Sequence, residues 1–228
     1  QLLMAQQNLS IETLWKFGRV SEPCVSTDGN LAIYGVKTYD VKANKGTNII
    51  YSKPIAGGEA KALTEASQNA FSARFTPDGK KISYLSVVAG EVQLFEMNLD
   101  GSSKIQVSKV KGGINGYKYA PTMTHVAYVA DVKLELEVKE IYPDLDKCNG
   151  RIIDELYYRH WDAWHDYAYS HLFITTYSNS SFTGEAKDIM LGERFDCPVP
   201  PHGDDEEFNW SPDGKKLAYN CKKLNGTA

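Results

Sequence analysis

The chain has 228 residues, of which 42% are hydrophobic, and its 25 basic and 29 acidic side chains give a net charge of −4. This balance, with no basic run interleaved with aromatic residues, argues against a nucleic-acid partner. No stretch approaches the roughly 20 apolar residues that a membrane-spanning helix needs, so no membrane span is expected.

The amino-terminal segment differs from the rest of the chain. Its first seven residues, QLLMAQQ, resemble the end of a cleaved secretion signal, which favours an exported protein, periplasmic or secreted. Ser10 suits the N-cap of a short amphipathic helix that ends at Gly18, with three apolar side chains on one face: Ile11, Leu14 and Trp15. Such a helix would either close the bottom of the following fold or dock a second domain.

A ten-residue phrase then recurs along the chain. It combines an aromatic residue, Ser or Thr, Pro-Asp-Gly, two lysines and a short strand ending in Tyr, and it occurs at 75–84 and 210–219. Proline presets φ, Asp accepts from following amides and Gly takes positive φ, so the phrase predicts a tight β-hairpin corner. A copy at 25–34 lacks the proline, and one at 119–128 lacks Asp-Gly. The recurrence indicates a repeat protein.

The segments between the phrases repeat as well. Residues 51–64 and 95–108 each combine a strand, a Gly-centred turn and a closing strand. Four antiparallel strands in about 40 to 50 residues are typical of a β-propeller blade. We therefore predict an all-β partial β-propeller, with WD40-like or TolB-like four-stranded blades. The expected boundaries are 1–20 for the tail and helix, about 21–65, 66–110 and 111–200 for three blades, and 204–228 for the start of the next.

The third blade contains a long insertion with the densest chemistry of the chain. Trp161, Trp164 and Tyr167 would share one face of a short helix or turn. Their polar neighbours match no established ligand spacing, so packing or ligand contact is favoured over a metal site: His160, Asp162, His165 and Asp166. We expect no metal and no cofactor. The four cysteines lack C-x-x-C pairing, which favours free thiols but leaves one or two bridges open in an oxidising compartment.

In this order the features resemble the amino-terminal propeller of serine peptidases of the prolyl oligopeptidase family. The similarity is closest to bacterial enzymes of the dipeptidyl peptidase V type and looser to acylaminoacyl peptidases. It covers nearly the whole chain and rests on the Leu-Trp helix, the Pro-Asp-Gly blades and four boxes: YPDLD at 142–146, YRHWD at 158–162, HLF at 171–173 and EFNWSPDG at 207–214. The Arg-His-Trp-Asp box is the specific element, since many TolB-like propellers share Pro-Asp-Gly.

The resemblance implies an exopeptidase with two parts. The propeller would gate access and position oligopeptide substrates, and a carboxy-terminal α/β-hydrolase domain would cut them. That domain needs a serine in a G-x-S-x-G turn followed by Asp and His, and these 228 residues contain no G-x-S-x-G. We therefore expect the catalytic residues to lie outside this chain, which would be inactive alone.

The propeller of such an enzyme would offer an acid to the substrate ammonium and an aromatic wall. The candidates are Trp161, Asp162, Trp164, Glu206 and Glu207. For Glu206 and Glu207 the plain alternative is a solvated loop before a strand. The sequence also leaves open whether the protein forms a homodimer.

Two other classes remain. A stand-alone TolB-like propeller would act as a protein-binding scaffold and needs no catalytic domain. A lyase or glycosidase propeller would need carboxylates or metal ligands recurring near the axis. The repeats carry lysines and turns at corresponding positions instead, which disfavours that class.

Overall fold

The computed structural model describes residues 9–153, 159–160, 163–164 and 167–223. The chain divides into two compact units, Gln1–Gln106 and Val107–Ala228. Strands dominate both units and form antiparallel sheets, which confirms the predicted all-β fold of propeller blades. No helix within the described part of the chain is long and apolar enough to cross a membrane.

The first unit begins with the predicted helix, α1 (Ile11–Lys16). The Ser10 hydroxyl caps it by accepting a hydrogen bond from the Thr13 N–H. The helix ends one residue earlier than expected, because Phe17 and not Gly18 takes the extended C-cap conformation. Two four-stranded sheets follow: β1 (Arg19–Val25), β2 (Leu31–Asp40), β3 (Lys45–Pro54) and β4 (Lys61–Ala62), then β5 (Phe71–Phe75), β6 (Lys81–Val88), β7 (Glu91–Asn98) and β8 (Ile105–Gln106).

The second unit holds a third sheet, which lies within the residues predicted for the third blade, and two short hairpins. Its strands and helix, in chain order, are β9 (Gly116–Tyr119), β10 (His125–Lys133), α2 (Val138–Ile141), β11 (Arg159–His160), β12 (Ala163–Trp164), β13 (Ala168–Ser178), β14 (Ser181–Phe182), β15 (Lys187–Asp188), β16 (Phe208–Trp210) and β17 (Leu217–Tyr219). In the third blade β9 pairs with β10, β10 with β13, and β13 with both β14 and β15. The β11–β12 and β16–β17 pairs are separate hairpins.

The repeated phrase forms the predicted corners. Gly29, Gly79 and Gly214 take positive φ values of 72°, 67° and 68°. Asp78 Oδ1 accepts from the Lys80 N–H at 3.2 Å, and Asp28 and Asp213 accept the same bond in the copies at 25–34 and 210–219. In the copy that lacks Asp-Gly, Met123 takes the left-handed conformation with φ 55°. The corner geometry thus survives where its usual residues are missing.

Each unit has its own apolar core. In the first, the centre includes Ile33, Ile50, Ile82 and Tyr84, all with no exposed surface. Burying a side chain of this size contributes about 1.5–3 kcal/mol. Burial raises the pKa of Tyr84 to about 12, and Gln68 lies near its hydroxyl but outside hydrogen-bond geometry. The core of the second unit includes Leu172, Met190, Cys197 and Phe208.

A matching irregularity occurs in the first strands of the two blades of the first unit. The pairing of β1 and of β5 shifts register at a bulge, and the bulges contain Glu22 and Ser72, both with φ 51°. The Glu22 carboxylate accepts from the Ser72 N–H at 2.8 Å and from its hydroxyl at 3.3 Å. This contact joins the two sheets of the unit at their first strands.

Candidate functional site

The insertion leaves the third blade at one end of its sheet. Strands β10 and β13 pair without interruption up to Lys133 and Ala168, so residues 134–167 emerge opposite the turn at 120–124. At the base, the N–H groups of Leu134 and Glu135 both donate to the Tyr167 carbonyl, at 2.9 and 3.1 Å. The equivalent connection in the second blade is only Ala89-Gly90.

Ion pairs hold the first part of the insertion to the blade. Lys133 Nζ lies 3.0 Å from Glu137 Oε1 and 2.6 Å from Glu140 Oε2, and Lys139 Nζ lies 2.7 Å from Glu137 Oε2. Hydrogen bonding to the two carboxylates raises the pKa of Lys133, and the Lys133 ammonium in turn lowers the pKa of Glu140. Single surface pairs stabilise little, but this network fixes α2 against the end of β10.

A second contact anchors the insertion to β13. The Tyr169 hydroxyl donates to Glu135 Oε1 at 2.9 Å, and an Arg194 nitrogen lies 3.7 Å from the same oxygen. Burial, together with the hydrogen bond to Glu135, raises the pKa of Tyr169 to about 12. The phenol therefore stays protonated as a donor over the whole physiological pH range.

Trp164 lies in the insertion under two guanidinium groups. The Cζ atoms of Arg151 and Arg159 lie 4.3 and 4.9 Å from the centre of its ring, and 38% of the tryptophan surface is exposed. Arg159 is the register partner of Trp164 across β11 and β12. The segment was predicted to form a short helix or turn, and its described residues form the antiparallel pair of β11 and β12. Cross-strand pairing brings arginine and tryptophan together as a helical face would.

Other candidates in the same box lie outside the described residues. These are Trp161 and Asp162, and also His165 and Asp166. His160 lies on β11, next to Arg159. In the part of the chain that the structure describes, no group of three or more His, Cys, Asp or Glu side chains is arranged to hold a metal ion.

The two acidic candidates lie on a 3-10 turn, Asp205–Glu207, that leads into β16. Asp204 caps the turn by accepting from the Glu206 N–H at 2.8 Å, and the Glu206 side chain is exposed. Glu207 Oε2 accepts from the Val199 N–H at 2.7 Å, and the Glu207 carbonyl accepts from the Asn220 N–H at 2.8 Å. Glu207 therefore ties two loops to β16, whereas Glu206 presents its carboxylate to solvent.

The buried pair formed by His171 and Asp188 was not predicted from any sequence pattern. His171 has no exposed surface, and its Nδ1 lies 2.8 Å from Asp188 Oδ2 while Nε2 lies 2.9 Å from the Glu193 carbonyl oxygen. Arg151 and Arg159 were also missed as partners of Trp164. The HLF box contains His171, but only the strand register shows which acid it meets.

The cysteines of the described residues are all free thiols: Cys24, Cys148, Cys197 and Cys221. Cys197 is fully buried, and this burial raises the pKa of its thiol to about 12. A thiol that stays protonated is a poor nucleophile, so Cys197 is a packing residue.

Comparison with solved structures defines the class of protein. The fold is similar to that of acylaminoacyl peptidase from Pyrococcus horikoshii, with a TM-score of 0.58 and 19% identity over 78% of this chain and 26% of that one. It is also similar to TolB from Acinetobacter baumannii, with a TM-score of 0.50 and 14% identity over 89% of this chain and 37% of that one. The chain is thus an all-β protein of β-propeller blades.

The sequence relatives are more particular. The chain is 39% identical over 222 residues to dipeptidyl-peptidase 5 of Porphyromonas gingivalis, and 37% identical over 215 residues to that of Porphyromonas endodontalis. These matches cover 97% and 94% of this chain but 32% and 31% of the relatives. No family model matches the chain. The chain is a homologue of dipeptidyl-peptidase 5 that spans about a third of its relatives' length, which confirms the resemblance to this group of peptidases.

Proposed function

We propose that the chain is the amino-terminal propeller part of a secreted serine exopeptidase, of the dipeptidyl peptidase or acylaminoacyl peptidase type. It gates access for oligopeptide substrates and positions them for an α/β-hydrolase domain of the same polypeptide. The observation that carries this proposal is the match of nearly the whole chain to about a third of each dipeptidyl-peptidase 5 relative. The missing G-x-S-x-G agrees with chemistry that lies elsewhere in the polypeptide.

Within this proposal, Glu206 is the acid that faces the substrate ammonium. Its carboxylate is exposed on a capped turn, so it can meet a peptide amino terminus without breaking an internal hydrogen bond. Glu207 is a positioning residue, because its carboxylate is committed to the Val199 N–H. Asp162 stays an alternative acid, and Trp161 stays a candidate for the aromatic wall.

Trp164 contributes to the wall in this proposal through a ring held by two arginines. The guanidinium groups stack over the indole and restrict its rotation, while 38% of its surface remains open to a ligand. A fixed aromatic surface loses little conformational entropy when a peptide binds.

The first experiment treats the full-length natural product and this 228-residue chain with a fluorophosphonate probe, which labels activated serines. Labelling of the full-length product, with none on the short chain, is the expected result. A full-length product that the probe leaves blank would rule out the serine peptidase. The second candidate would then be retained, a stand-alone propeller that binds other proteins as a scaffold. The similarity of the fold to TolB favours this candidate.

Kinetics of the full-length enzyme test the acid. Glu206→Gln should raise KM about fivefold for a dipeptidyl substrate with a free amino terminus, the upper range for an exposed ion pair. The same substrate with an acylated amino terminus carries no ammonium group, so Glu206→Gln should not change its KM. Glu207→Gln is the matched control. It should lower the free energy of unfolding, because the Glu207 carboxylate accepts a hydrogen bond from the Val199 N–H, and it should leave KM close to the wild-type value. Equal KM values for wild type and Glu206→Gln would remove Glu206 from the site.

A further inference from the structure

The insertion has an ordered apolar surface that nothing in the described chain covers. Four side chains, which we call the insertion patch, have large exposed fractions: Leu136 at 61%, Ile141 at 43%, Tyr142 at 51% and Leu145 at 51%. Val138, on the same short helix, is buried. The segment thus has apolar side chains on its inner and its outer side, whereas a surface segment with no partner is expected to be polar on the outside.

The patch is held in place by its own hydrogen bonds. The Tyr142 N–H donates to the Val138 carbonyl at 2.8 Å, and the Leu145 N–H donates to the Tyr142 carbonyl at 3.0 Å. The ion pairs of Lys133 fix α2, the helix on which Ile141 of the patch lies. Because these hydrogen bonds hold the segment in one conformation, a partner that covers the patch would lose little conformational entropy on binding. Several large exposed apolar side chains within ten residues are typical of an interaction site.

The charges beside the patch favour an apolar protein contact. Lys133 and Lys139 are paired with Glu137 and Glu140, so these four side chains neutralise one another, while Asp144 and Asp146 flank Leu145 in the sequence. A charged ligand would have to compete with these pairs. A protein surface with its own apolar side chains can cover the patch and leave the pairs at the rim.

The position of the patch indicates that its partner is not another blade of the propeller. Blades of a propeller bury the faces of their sheets against neighbouring blades, which leaves the ends of the sheets uncovered. The insertion leaves from such an end, beyond Lys133 and Ala168. In the first unit, α1 precedes β1 at the corresponding end of its own blade and also exposes apolar side chains, among them Leu14 and Trp15.

We propose that the insertion patch is a docking surface for the catalytic domain of the same polypeptide. The inference rests on the proposed function, and it agrees with relatives that are about three times as long as this chain. The patch would hold the domain against the ends of the blades, next to the Trp164 hairpin that the same insertion carries.

Photocrosslinking in the full-length protein tests the contact. A benzophenone amino acid is placed at Leu136 or Leu145, and at Leu191 as a matched control, since Leu191 is 81% exposed in the same unit but outside the insertion. From positions 136 and 145 we expect crosslinks within one molecule to peptides beyond the last blade. From the control position 191 we expect no such crosslinks. Crosslinks between two copies, crosslinks only to an added oligopeptide, or yields no higher than at position 191 would overturn the proposal.

A second measurement covers the case in which the unnatural residue itself disturbs the contact. Leu145→Asp should split the thermal unfolding of the full-length protein into separate transitions, and Leu191→Asp should not. An unchanged single transition in Leu145→Asp would also overturn the proposal. Fluorophosphonate labelling of the same samples separates the two claims. Labelled protein without downstream crosslinks refutes the docking surface alone, and downstream crosslinks in unlabelled protein refute the peptidase alone.

Discussion

Replacement of His171 by leucine should destabilise the second unit, because leucine removes both hydrogen bonds of a fully buried imidazole. Its two partners, the Asp188 carboxylate and the Glu193 carbonyl, are both acceptors, at 2.8 and 2.9 Å. Each ring nitrogen thus lies within hydrogen-bond distance of an oxygen, and leucine offers neither oxygen a polar partner. The Asp188 side chain is only 10% exposed, and water cannot replace the lost partner.

The expected cost of His171→Leu is about 2–5 kcal/mol, because two oxygens each lose a hydrogen-bond partner in a buried environment, at about 1–3 kcal/mol each. Asp188 keeps one bond after the change, from the Met190 N–H to Oδ1 at 2.8 Å, which places the cost toward the lower end of that range. Asp188→Asn preserves an acceptor for Nδ1 and should cost about 1–2 kcal/mol. His125→Leu is the matched control. It should lower the free energy of unfolding by less than about 1 kcal/mol. The His125 ring is half-buried, and among the described residues the ring forms a hydrogen bond with the Thr124 hydroxyl alone.

Urea unfolding of the 228-residue chain, followed by probes in each unit, measures these differences. Nitrogen-15 NMR of the imidazole checks the two hydrogen bonds directly, since both ring nitrogens of His171 should show the shifts of hydrogen-bonded nitrogens. A His171→Leu chain within about 1 kcal/mol of wild type, or a ring nitrogen with the shift of a solvated imidazole, would refute the reasoning.

Three further predictions concern the blades. Met123→Gly should raise the free energy of unfolding by about 0.5–1 kcal/mol, because Met123 takes φ 55° at the glycine position of its corner. Met123→Ala is the control and should bring no such gain. Urea unfolding measures both. Tyr84→Phe should be neutral or stabilising by up to about 1 kcal/mol, because no described residue forms a hydrogen bond with the buried hydroxyl. A clear loss of stability would reveal a partner. Hydrogen bonds from the Ser26 hydroxyl and from Asn30 lower the pKa of Asp28 from 3.8 to about 2. Its contribution to stability should therefore be complete above pH 3.8 and disappear as the pH falls through about 2. A carboxyl NMR titration with a midpoint near 4, or an unchanged acid dependence in Asp28→Asn, would contradict this.

The corners could be predicted from the sequence because their chemistry is local. Asp78 accepts a hydrogen bond from an amide two residues along, and Gly79 supplies a φ value that most residues avoid. Each rule needs only neighbouring residues. The turns then fixed where strands begin, and the recurrence of the phrase fixed the class of fold.

The contacts of the site could not be predicted because they join distant residues. His171 meets Asp188 through the pairing of β13 with β15, and Glu22 meets Ser72 across two different blades. The tryptophan spacing in the insertion fitted a helical face, but a hairpin also places Trp164 against Arg159. Spacing alone does not separate these two structures when the segment is only a few residues long.

The closing strands β4, β8 and β15 each have two residues, whereas β2, β3 and β13 have ten or eleven. A sheet edge recruits foreign strands in proportion to the length of unpaired backbone that it offers. Two residues present too few N–H and C=O groups to hold a strand from another molecule. The brevity of the closing strand therefore makes that edge of each blade a poor template for adding a foreign strand, which disfavours fibril growth from that side.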